Sequence, residues 1–104
     1  MLTFDQALNH LGYDEIDERI AAIIRDELAG AEAYLKGAVG EDILDLMPDD
    51  PRVNILMKAY LDDQHDDRGT TSAKAGNATR AMIHSTEWQL KLELARRREE
   101  AASV

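Results

Sequence analysis

The stretch from Asn77 to Glu100 contains neither Gly nor Pro and carries apolar residues at helical spacing throughout. It predicts one helix roughly 35 Å long at 1.5 Å per residue, which is long for a chain of 104 residues. Asn77 is placed to cap it. At 100° per residue Ile83, Thr86, Leu90 and Leu94 form one stripe, while Ala81, Trp88, Leu92 and Ala95 form a second on nearly the opposite side. A helix at the edge of a small bundle needs only one such stripe. Two opposed stripes mean that the helix is sandwiched within its own fold or also packs on another chain. Three further helices, one very short, can hardly cover both faces along that length, so a subunit interface that includes Trp88 is expected; Trp is favoured at interface hot spots.

The rest of the chain supplies those partners. Thr3 and Gln6 have capping-box spacing and open a short helix that Gly12 can end in the left-handed C′ conformation. Asp14 is then placed to cap a longer helix reaching Lys36, with Ile16, Ile20, Ile23, Ile24, Leu28, Ala31, Tyr34 and Leu35 on one stripe. After Gly37 and Gly40, Ile43, Leu44, Leu46 and Met47 fit a helical turn or an apolar strap before Pro48. Asp50 followed by Pro51 reads as an N-cap with Pro at N1. That third helix is expected to bury Val53, Leu56, Met57, Tyr60 and Leu61 and to end near His65, before a polar loop from Asp66 to Gly76. No run alternates like a strand. The fold class is all-α, a single domain over 1–104 built as a small bundle of about four helices with a long C-terminal one.

Composition narrows the function. With no Cys, a disulfide scaffold, a thiolate zinc site, an iron–sulfur cluster and cysteine catalysis are all excluded. No apolar run approaches the roughly 20 residues that cross a bilayer, and Met1 to His10 lack the pattern of a signal peptide, so a soluble protein of intracellular type is expected. The formal net charge is −9, which argues against broad electrostatic binding to nucleic acid or an anionic membrane. The charge is also uneven. Residues 1–50 hold 13 acids and 3 bases, a net of −10, whereas residues 51–104 have a net of +1.

Candidate chemistry is sparse. Asp62, His65 and Asp66 stand at i, i+3 and i+4, a spacing that can offer three metal ligands on one helix face. Di-metal bundles draw carboxylate and Glu-x-x-His motifs from several helices, however, and no second such motif is present. That face also lies opposite Val53, Met57 and Tyr60, where solvent is expected, so a solvated helix end is preferred to a metal site. There is no P-loop, no dinucleotide fingerprint and no nucleophile elbow. The chain is expected not to be an enzyme and to need no cofactor. Arg96, Arg97 and Arg98, with Lys91 near them, form the one basic cluster, balanced by Glu87, Glu93, Glu99 and Glu100. Positive charge near a helix C-terminus is favoured by the macrodipole. The same cluster can dock on an acidic partner surface, and the N-terminal half of a neighbouring copy would serve.

Taken in order, these features resemble the small head–tail connector (head-completion, DNA-packaging adaptor) proteins of tailed bacteriophages and prophages. The resemblance begins with Leu2-Thr3-Phe4-Asp5-Gln6-Ala7-Leu8 and Leu11, which match the opening pattern L-T-x-x-x-A-x-x-x-L. It continues through the acid-rich turn Asp14 to Glu18 and the helix end Ala31-Glu32-Ala33-Tyr34-Leu35 before Gly37 or Gly40. Tyr60 to Gly69, closing in Asp67-Arg68-Gly69, is similar to the family's aromatic–acid–Arg signature, and Trp88-Gln89-Leu90-Lys91 to its C-terminal Gln-Leu-Arg segment. His65 replaces an aromatic, Lys91 stands where Arg is common, and Ala95 to Val104 have no counterpart in the pattern.

The resemblance implies a structural subunit of a homo-oligomeric ring of about a dozen copies. Such a ring docks under the phage portal protein, extends the DNA channel and presents a surface to a tail or stopper protein. DNA passes through without sequence-specific binding, no membrane is involved, and the place of work is the virion, after synthesis in the bacterial host cytoplasm. Arg68, Trp88, Leu92, Arg96, Arg97 and Arg98 are the expected subunit or partner contacts. The alternative, from another class, is a small dimeric helical regulatory or adaptor protein that pairs through its last helix.

Overall fold

The computed structural model describes residues 1–66 and 77–103. Arg68 and the loop expected around it lie outside the described residues. Among the described residues five helices follow in the order α1 (Phe4–Leu11), α2 (Glu18–Ala38), α3 (Ile43–Leu46), α4 (Pro51–Asp66) and α5 (Asn77–Ala102). The all-α class and the long C-terminal helix hold, and the apolar turn after Gly40 is α3. Among the described residues there is no strand, and no helix is long and apolar enough to cross a membrane.

Local chemistry sets the boundaries. The Thr3 hydroxyl accepts from the Gln6 amide at 3.1 Å and the Gln6 side chain accepts from the Thr3 amide at 2.9 Å, a complete capping box on α1. Gly12 ends that helix at φ 85°, where a side chain would be strained. The second helix starts later than Asp14 predicts. Its N-cap is Asp17, whose carboxylate accepts from the Ile20 amide at 2.8 Å, and the residues from Asp14 belong to the connection. Asp50 caps α4 as expected, accepting from the Arg52 amide at 2.9 Å with Pro51 in the first turn.

α2 and α4 form the central pair, α1 lies across both, and α5 packs on α4 and on the short α3. The core runs through Ile24, Ala31 and Leu35 of α2, Ile43 of α3, Val53, Leu56, Met57 and Leu61 of α4, and Leu90 and Leu94 of α5. Leu2 and Ala7 close one end of it. At about 1.5–3 kcal/mol for each large side chain buried, this set is the main stabilising term of the fold. Ionic and polar ties then fix α5 in place. Tyr34 of α2 donates its phenol to Glu87 of α5 at 2.5 Å and stacks on Tyr60 of α4, with ring centroids 5.6 Å apart.

Candidate functional site

The two stripes of α5 meet different fates. Leu90 and Leu94 are fully buried and Ile83 packs against the core, so one face of the helix is spent inside the chain. Trp88 is 61% exposed and Leu92 56%. The helix is therefore not sandwiched within its own domain. Ala81, Ser85, Trp88, Leu92 and Ala95 are all exposed and recur at alternating steps of four and three, which is the spacing of a helix–helix seam. Ser85 is the member that a purely apolar search overlooks.

Arg96, Arg97 and Arg98, expected to reach a partner, interact with acids of their own chain. Arg98 holds both oxygens of Asp42, with Nε at 2.8 Å from Oδ2. Arg96 bridges Glu93 at 2.6 Å and Glu100 at 3.0 Å on its own helix. Arg97 adds to the field that, behind the dominant hydrogen bond from Arg52, holds the Asp50 carboxyl below its ordinary range. Arg98 and Arg97 thus face acids of the N-terminal half, while Arg96 is held by its own helix. Trp88 and Leu92 are the exposed apolar members of the expected contact set.

The Asp62, His65 and Asp66 spacing does not become a shared site. Asp62 pairs with His10 of α1 at 2.8 Å. His65 turns the other way: its Nε2 is 3.0 Å from the Tyr13 hydroxyl and its Nδ1 3.2 Å from Glu27 Oε2, the rings of Tyr13 and His65 meeting edge to face. Among the described residues no group of three or more His, Asp or Glu side chains is placed to hold a metal ion. The solvated reading of this face fails for His65, because Glu27 is only 4% exposed and is drawn into the bundle beside it. A signal for this was present. Glu27 falls on the apolar stripe of α2, between Ile24 and Ala31, where a carboxylate needs a partner.

A second surface feature went unread in the sequence. Between α1 and α4 lies an open groove of about 340 Å³ lined by Leu2, Gln6, Asn9, His10, Asn54 and Lys58. Asn54 Oδ1 is itself buried and has no hydrogen-bond partner among the described residues. Native folds leave few such acceptors unmet. No family model matches this chain, and no curated protein or solved structure matches it.

Proposed function

We propose that this chain is a non-enzymatic structural subunit that assembles with copies of itself into a head–tail connector ring of a phage or prophage. In that role it docks under the portal protein, extends the DNA channel and joins head to tail or stopper. The observation that carries the reading is the α5 face of Trp88 and Leu92, exposed on a helix whose opposite face, Leu90 and Leu94, is already buried. An isolated domain gains nothing from holding an indole and an isobutyl group side by side in water, whereas a subunit that buries them against a neighbour does. The order of motifs along the chain supports the connector family, and the acidic balance suits a channel wall along which DNA must slide without adhering.

The test is native mass spectrometry over a range of protein concentrations, alone and with a portal ring. A closed species of about a dozen subunits supports the reading. A dimer that persists at every concentration, with or without portal, overturns it. That outcome belongs to the rival reading, a dimeric regulatory or adaptor protein, which the four-and-three spacing of Ala81, Ser85, Trp88, Leu92 and Ala95 favours.

A further inference from the structure

We infer that the exposed face of α5 pairs with α5 of a second copy, the two helices antiparallel and Trp88 of each packing on Leu92 of the other. The inference concerns how the free chain covers this face and does not rest on the ring reading. Its starting point is geometric. The stripe Ala81, Ser85, Trp88, Leu92 and Ala95 extends by the same steps to Ala78 at one end and to Glu99 and Ala102 at the other, all of them exposed. It therefore runs the length of α5, about 36 Å from Ala78 to Ala102 at 1.5 Å per residue. Leu90 and Leu94 turn the other way, into the core, so a second helix meets the stripe from the side away from α4.

The stripe fits its own reverse. With a two-fold axis level with Leu90, every layer joins one residue from each helix. Trp88 meets Leu92, Ser85 meets Ala95, Ala81 meets Glu99 and Ala78 meets Ala102. The bulky side chains of the two copies then fall together in the middle, and small residues at the ends let the axes stay close along the whole length. Charge selects the direction. In the antiparallel pair the exposed Glu99 and Glu100 of one helix come beside Arg80 and the first turn of the other, where the helix dipole is positive. A parallel pair would set Glu99 against Glu99, and the run from Arg96 to Arg98 beside its own copy. Near the axis the two Lys91 stand side by side with a Glu87 one turn to either side, so that flank is balanced.

The experiment uses the full chain, which has no Cys, so that introduced cysteines report the register. In sedimentation velocity, wild-type protein is expected to pass from monomer to dimer as concentration rises. The emission of its one Trp is expected to shift to the blue as the indole leaves water. Trp88→Ala is expected to dimerise at least about tenfold more weakly, while its dilute monomer melts like wild type because the lost ring is exposed. Ser85→Cys and Ala95→Cys, mixed under mild oxidation, are expected to give a mixed disulfide dimer, whereas each alone gives little. Cross-linking of Ser85→Cys alone to the same extent as the mixture overturns the antiparallel register. A wild-type chain that stays monomeric up to about 1 mM, or a dimer that Trp88→Ala leaves unchanged, overturns the pairing itself. Added portal protein separates this inference from the connector reading. A pair that gives way to a closed ring upholds both, and a pair that persists upholds this one and overturns the connector.

Discussion

Arg98, four residues before the end of α5, grips the Asp42 carboxylate that precedes α3, across 56 positions of sequence. The hydrogen bond from Arg98 is the main reason that the Asp42 carboxyl is held below its ordinary range. A carboxyl depressed in the fold contributes stability above its unfolded value, about 3.9, and loses it as pH falls through the depressed one. Hydrogen-exchange protection over residues 95–102, taken relative to the intrinsic rate at each pH, is accordingly expected to fall in that acid window. In Arg98→Ala the protection of the same segment is expected to be low at neutral pH already and to change little with acid.

Gly40 lies directly beneath this clasp. A Cβ at that position would stand 2.6 Å from Arg98 Nη2 and 2.7 Å from Leu94 Cδ2. Arg98 can swing away, but Leu94 is fixed in the core. Gly40→Ala is expected to lower stability by about 1–3 kcal/mol, read from a urea melt as a lower midpoint at unchanged slope.

The Glu27 carboxylate sits inside the bundle with His65 against it. His65→Ala removes a partner of a buried anion and is expected to cost about 1.5–3 kcal/mol. Glu27→Gln keeps the shape and removes the charge, so it is expected to cost less than His65→Ala. Equal losses in the two melts would mean that shape, not charge, governs the site.

Tyr34 has its phenol pKa pushed well above the ordinary value, first by burial and then by the hydrogen bond to Glu87. A group raised in the fold contributes fully below its unfolded pKa and loses that contribution as pH rises through the folded one. Wild-type protein is therefore expected to lose stability above about pH 10 by a margin that Tyr34→Phe does not share. At neutral pH the variant is expected to be less stable by about 0.5–1.5 kcal/mol. Thermal melts at pH 7 and pH 11 measure both.

What the sequence made legible was whatever rests on near neighbours. The Thr3–Gln6 box, the Gly12 stop, the Asp50–Pro51 start and the periodic burial of Leu90 and Leu94 each depend on residues within a few positions. Asp17 displaced Asp14 as a cap because both precede an Ile within three residues, and local pattern cannot choose between them. The Glu27–His65 pair, 38 positions apart, and the Arg98–Asp42 clasp depend on how helices come to lie together. A run of charges shows that partners are needed without showing which ones. The two apolar stripes of α5 were plain in the sequence, but only the placement of α4 and α3 decided which of them stayed open.

The arginine-rich end of α5 has a consequence for how the protein responds to salt. Folded back toward Asp42 and Asp50, it acts as a tethered counterion for a half of the chain that otherwise carries a net of −10. Free ions compete with it. Raising ionic strength weakens the clasp while it relieves the repulsion among the remaining acids, so the two ends of one domain answer the same salt in opposite directions.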